Sequence, residues 1–167
     1  MRETPAMKQL LALADGSPRR AVERGEVLLV DGEPVQSLYV LLEGALRIEK
    51  AGELIATVSE PGACVGEMSL LLGVPATADV VARGPAVVAV IDNAQGLLEA
   101  DTRLSLALAR LLAARLQVMT TYLADIKQQY ADHEGGLGMV DVVLGSLMQG
   151  AGARSVLGSE RDPEPEY

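Results

Sequence analysis

Between Glu26 and Ile91 short apolar runs alternate with glycine-bearing turns, and this rhythm constrains the fold more than any other feature of the chain. The runs fall at 27–30, 38–42, 45–48, 54–58, 78–82 and 86–91. Asp31-Gly32-Glu33-Pro34, Glu43-Gly44, Ala51-Gly52, Pro61-Gly62 and Arg83-Gly84-Pro85 separate them. Short strands at roughly ten-residue spacing, with turn chemistry between them, predict an antiparallel sandwich or barrel over 25–91. One stretch breaks the rhythm: Gly66-Glu67-Met68-Ser69-Leu70-Leu71-Leu72-Gly73 reads as a single helical turn. Aromatics make up only 2% of the chain, all of them tyrosine, so the core must be aliphatic.

Helical patterns flank this β region. Residues 5–14 (PAMKQLLALA) form a short helix with Leu10, Leu11 and Leu13 on or near its apolar side, stopped by Asp15-Gly16-Ser17-Pro18. After Asp92-Asn93 a short helix is expected at 95–100, and Thr102 is placed to N-cap a long one that runs to about Asp132. Ala109, Leu112, Leu116, Met119, Leu123, Ile126 and Tyr130 recur along it at spacings of three and four, the a/d seam of a coiled coil. Leu104, Leu108, Leu111 and Val118 form a second stripe, expected to pack on the barrel. Two stripes need two partners, and a homodimer through the seam Leu112, Leu116, Met119, Leu123 and Ile126 supplies the second. Gly135-Gly136 ends the long helix. Residues 139–148 (MVDVVLGSLM) then form a short apolar element expected to dock on the barrel, on the dimer mate or on a protein partner. The acidic tail from Gly150 is expected to be disordered. The resulting division is 1–20, a helical segment; 21–132, the barrel with its long helix; and 133–167, the apolar segment and tail.

Composition excludes several classes. With one cysteine (Cys64) and one histidine (His133), a disulfide framework, a Cys/His zinc site and a four-cysteine iron–sulfur cluster are ruled out within one chain, and no metal site is expected. Cys64 reads as a small buried hydrophobe and His133 as a solvated or C-capping residue. No apolar run approaches the ~18–20 residues that span a bilayer and no signal peptide is evident, so a cytoplasmic protein without membrane association is expected. A net charge of -9 is the wrong sign for a nucleic-acid footprint, and no Lys or Arg lies between Lys127 and Arg154 where a DNA-reading domain would follow. No nucleophile–base–acid set appears, so no catalytic residues, no enzyme activity and no cofactor are expected.

From about Arg24 to Leu116 the sequence resembles the cyclic-nucleotide-binding domain, the sensor module of catabolite-activator-type regulators, cAMP-dependent kinase regulatory subunits and nucleotide-gated channels. The residues that carry the resemblance are Gly25-Glu26-Val27, Asp31-Gly32-Glu33-Pro34, Leu38-Tyr39-Val40-Leu41-Leu42-Glu43-Gly44, Pro61-Gly62-Ala63-Cys64-Val65-Gly66-Glu67-Met68-Ser69-Leu70 and Gly73-Val74-Pro75-Ala76-Thr77-Ala78-Asp79-Val80. The resemblance implies a mainly β fold, a jelly-roll barrel of eight strands with flanking helices and a long C-terminal dimerisation helix. It also implies a phosphate-binding cassette on the turn at Gly66, with cAMP or cGMP as the ligand. In the family the cassette glutamate, here Glu67, binds the ribose 2′-hydroxyl, and backbone amides over Gly66, Met68 and Ser69 hold the cyclic phosphate. Polar residues on the long helix, here Thr120 and Thr121, touch the base.

One departure matters most. The family's phosphate-pairing arginine is replaced by Ala76, leaving Thr77 as a hydroxyl donor. A charge-assisted contact of that kind contributes about 1.5–3 kcal/mol, so its loss weakens binding about 10- to 150-fold. Arg83 and Arg115 are the nearest substitute cations by position, and Asp79 adds a nearby negative charge. Glu67 suits a cap of the turn as well as a ribose contact, and Thr120-Thr121 suit a break in the coiled-coil seam. Two functions stay open: a receptor that binds a cyclic nucleotide or related anion weakly, and a ligand-independent dimeric scaffold.

Overall fold

The computed structural model describes residues 4–129, 140, 143–145 and 147. Eight strands form two antiparallel sheets: β1 (Arg19–Val22), β2 (Val27–Leu29), β3 (Leu38–Glu43), β4 (Leu46–Lys50), β5 (Glu53–Val58), β6 (Cys64–Val65), β7 (Asp79–Ala82) and β8 (Ala86–Ile91). One sheet has the order β1-β8-β3-β6 and the other β2-β7-β4-β5. The pairs β1·β8, β2·β7, β3·β6 and β4·β5 nest inside one another, as in an antiparallel ribbon rolled on itself. This is the jelly roll, and the flanking helices are α1 (Pro5–Ala14), α2 (Glu67–Leu72), α3 (Ala94–Ala100) and α4 (Thr102–Gln129).

The two sheets differ in what they bury, and the sequences of their strands follow. In β3 and β8, Leu38, Val40, Ala89 and Ile91 face one apolar cluster, shared with Met7 and Leu10 of α1 and Leu104, Ala107, Leu108 and Leu111 of α4. The alternate residues Leu41, Val88 and Ala86 face a second cluster between the sheets, with Leu28, Leu46 and Val80. A sheet covered on both faces needs near-continuous apolar strands, which LYVLLE and AVVAVI supply. In the other sheet β4 (LRIEK) alternates, although Val81 of β7 is buried on the face away from the inter-sheet cluster. Leu46 and Ile48 join the inter-sheet cluster, while Arg47 and Glu49 pair on the opposite face at 3.1 Å.

The ribbon crosses between sheets at corners. One corner holds Gly44, another Gly84-Pro85, and they meet. Gly44 has φ +87°, and a Cβ there would lie 2.6 Å from both the Ala86 Cβ and the Pro85 carbonyl oxygen. Along β4·β5 the register slips once. Ile48 pairs with Ala56 but Glu49 with Leu54, so Ile55 is an extra residue bulged out of β5. β4·β7 has no such slip.

Several boundaries differ from the sequence-based expectation. The barrel begins with β1 at Arg19, not at Gly25, and β1 crosses the expected division at residue 20. Three of its four residues are exposed, so no apolar run marked it; pairing with β8 makes it a strand. Thr102 is the first residue of α4 and not its cap. Asp101 caps instead, its Oδ1 accepting from the Arg103 N–H at 2.9 Å. Of the second stripe, Leu104, Leu108 and Leu111 are buried with Ala107, and Val118 is 59% exposed. Cys64 is a buried strand residue, as expected.

The chain divides into two units, Met1–Ala114 and Arg115–Tyr167. In the second, Leu116 and Met119 are exposed and Leu123 and Ile126 half-buried. The expected seam residue Tyr130, His133, the tail and most of 139–148 lie outside the described residues; Val140, 143–145 and Leu147 are helical.

Two stability tests follow. Gly44→Ala should destabilise the chain by at least about 2 kcal/mol in urea unfolding, from backbone strain plus overlap with Ala86. Gly52→Ala, at φ +80° but in open space, should cost less, and the difference isolates the steric part. The Arg103 guanidinium and backbone N–H hold the Asp101 carboxyl below its usual range. Stability from a lowered carboxyl is present above its unfolded pKa and lost as pH falls through the folded value. Asp101→Ala should therefore lower the melting temperature at neutral pH, with the gap from wild type closing in acid.

Candidate functional site

The 61–79 segment runs from the corner before β6 to the start of β7. Gly62 is buried at φ +85°, where a Cβ would lie 2.5 Å from the Met7 carbonyl oxygen of α1. Gly66 takes φ +93° and begins α2, where a Cβ would meet the Ser37 carbonyl oxygen at 3.1 Å and Val35 Cγ1 at 3.3 Å. Both positions combine a left-handed backbone with close contact, so glycine is required at each.

In α2 the side chains divide sharply. Glu67 is 3% exposed and engaged, and Ser69 and Leu70 are buried with it. Met68, Leu71 and Leu72 are exposed. Met68 was expected at the site through its backbone, and its side chain is half in solvent. Leu70 belongs to the same apolar cluster as Leu10 of α1 and Leu108 of α4, so a shift of α2 is felt by both helices. Gly73 ends α2 in the left-handed region with its N–H on the Ser69 carbonyl. The Ser69 hydroxyl donates to the Pro75 carbonyl at 3.2 Å and ties the following loop back.

Residues 76–79 are stitched to the turn after β2. The Ala76 N–H donates to the Glu33 carbonyl at 2.8 Å, and the Ala76 carbonyl accepts from the Gly32 N–H at 2.7 Å. Asp79 Oδ1 accepts from the Asp31 N–H at 2.8 Å, so its carboxylate is held by that turn. Ala76 is 5% exposed and lines a cavity of about 380 Å³ with β2, Glu33 and Tyr39. A second cavity of about 590 Å³ lies against Ser69, Val74 and Pro75, bounded by Val35, Gln36, Asn93 and Gln95. Thr77 is exposed, and its carbonyl accepts from Lys50 Nζ at 2.6 Å.

The structure therefore brings Gly66, Glu67, Ser69, Ala76 and Thr77 together on one continuous segment. Thr120 and Thr121 lie in the other unit, where the Thr121 hydroxyl donates to the Gln117 carbonyl at 3.0 Å within α4. Arg83 is not a substitute cation. It follows the far end of β7, with its N–H on the Ala45 carbonyl, roughly 20 Å along the chain from Ala76. Sequence reasoning missed Lys50, which is far from the cassette in the chain and close to it across β4·β7. Among the described residues no three His, Cys, Asp or Glu side chains cluster to hold a metal. No described helix is long and apolar enough to cross a membrane.

Comparison with known proteins agrees with this fold. Residues 19–98 match the cyclic nucleotide-binding domain family. The catabolite activator protein of Thermus thermophilus has the same fold at 24% identity and TM-score 0.57, over 74% of this chain and 60% of that one. The N-terminal domain of a transcriptional regulator from Streptomyces coelicolor A3(2) matches at 25% identity and TM-score 0.51, over 69% of this chain and 84% of that one. A regulatory subunit of a cAMP-independent protein kinase A from Trypanosoma brucei matches at 24% identity and TM-score 0.53, over 64% of this chain and 38% of that one. The chain thus spans less than two thirds of the length of the Thermus and Trypanosoma proteins. The region that matches, 19–98, takes in the barrel and the 61–79 segment, so the likeness to the cyclic nucleotide-binding domain falls on the elements just described.

The stitch to the 31–33 turn can be tested directly. Asp79→Ala removes the acceptor for the Asp31 N–H and should cost about 1 kcal/mol, with faster amide exchange at Asp31 and Gly32. Unchanged exchange there would show that the backbone bonds of Ala76 hold the turn alone.

Proposed function

We propose that the chain is a non-enzymatic sensor that binds cAMP, cGMP or a related small anion weakly at the Gly66–Thr77 cassette. The observation that carries this reading is a cassette complete in its backbone but with alanine where the family has arginine. Gly66 keeps the left-handed start, Glu67 is inside, and Ala76 lines a cavity instead of presenting a cation. Losing about 1.5–3 kcal/mol of charge-assisted binding places the dissociation constant for cAMP at roughly tens of micromolar or above. Binding at the cassette reaches α1 and the start of α4 through Leu70.

Calorimetric titration with cAMP, cGMP and cyclic dinucleotides tests this. Weak binding should tighten at least about tenfold in Ala76→Arg and fall in Glu67→Ala. Submicromolar binding of cAMP by the wild type would overturn it.

The burial of Ala76 favours a second reading, a ligand-independent scaffold, since a small side chain there lets this loop close on the turn after β2. The same fold in a kinase regulatory subunit described as cAMP-independent makes that reading concrete. No binding by either the wild type or Ala76→Arg would decide for it.

In both readings the chain is a homodimer through α4. Leu116 and Met119 of the seam are exposed on that helix, and a second copy would cover them. Leu116→Glu with Leu123→Glu should convert a dimer to a monomer in light scattering, and a monomeric wild type refutes the assembly. Residues 139–148 are proposed as a further docking element for a protein partner, and cytoplasmic residence fits such a sensor.

A further inference from the structure

We propose that Lys50 supplies the cation for the anionic ligand at this cassette, in place of the arginine that Ala76 replaces. The inference rests on the weak-binding reading above and adds the residue that sets its preference for charged ligands.

The placement follows from register. β4 pairs with β7 without a slip, Ile48 opposite Val80 and Glu49 opposite Asp79. Leu46 and Ile48 face the space between the sheets, and Lys50, exposed at the end of β4, follows them on the same side of the strand. Its ammonium lies 2.6 Å from the Thr77 carbonyl, one residue beyond Ala76. A lysine has three N–H donors, and the carbonyl takes one. No carboxylate pairs with Lys50 among the described residues, although Glu53 stands opposite it on β5 and Asp79 starts β7. Asp79 accepts from the Asp31 N–H instead, leaving the ammonium turned toward Thr77. Three other cations of the barrel are placed elsewhere: Arg20 pairs with Glu26, Arg47 with Glu49 on the outer face, and Arg83 follows the other end of β7.

An exposed lysine holds an anion less firmly than a bidentate arginine, because its compact charge is strongly hydrated and lacks the planar fork. A Lys50 contact is therefore consistent with binding that is present but weak. It also predicts recognition of negative charge with little geometric selectivity among phosphates.

The test is titration of full-length protein with cAMP at low and high ionic strength. Lys50→Met should weaken binding about three- to tenfold at low salt and flatten its salt dependence, while Lys50→Arg retains both. A purely structural tie to Thr77 would instead lower the melting temperature of Lys50→Met and leave the salt dependence intact; that result overturns the proposal. Wild-type affinity in Lys50→Met overturns it too and leaves the weak-binding reading standing. Absence of cAMP binding in both wild type and Ala76→Arg removes that reading, and the role of Lys50 with it.

Discussion

Close approach of backbones, forced by a core without phenylalanine or tryptophan, is the constraint on which this fold depends. Aliphatic side chains fill less space per residue than aromatic ones, so strands and helices must come nearer to reach normal packing density. Among the described glycines, Gly44 and Gly62 leave the least room for a side chain. Gly44 lies over the Pro85–Ala86 corner and Gly62 lies under the Met7 carbonyl of α1. The first closes the two sheets on one another. The second seats α1 against the segment that leads into the cassette. A side chain at either place would separate layers that Leu10, Leu38, Leu41 and Leu108 otherwise fill completely.

The site inherits its properties from this packing. α2 is only six residues long and cannot be stable alone, so its position is fixed by Leu70 below and by Gly66 and Gly73 at its ends. Ser69 and Ala76 then use side-chain and backbone bonds to return the chain to the barrel. In the reading proposed here this segment receives the anion, with the small buried side chain of Ala76 on the wall of the adjoining cavity.

Much of the fold could be read in the sequence because strand burial and turn chemistry are local. β8 coincides with the apolar run at 86–91, and α1 with the segment that Thr4 caps and Asp15 closes. β1 was hidden because Arg19 and Arg20 carry no pattern, and only the pairing of this segment with β8 makes it a strand. Asp101 was overlooked as a cap because Thr102 beside it offers the same chemistry one residue later. The candidate site divides in the same way. Gly66, Glu67 and Ala76 form one continuous stretch and were visible as a motif. Lys50 was not, since its proximity to Thr77 exists only once β4 and β7 are in register.

The bulge at Ile55 has a consequence for how the molecule behaves in a crowded solution. β5 ends its sheet, with Leu54 and Ile55 58% and 63% exposed, so a row of backbone donors and acceptors sits beside bare hydrocarbon. A flat edge of that kind templates growth by any extended chain that meets it. The extra residue twists β5 midway and puts its two halves out of phase, so an incoming strand can match one half or the other but never both. An apparent irregularity thus breaks up the flat edge on which fibrous self-association depends.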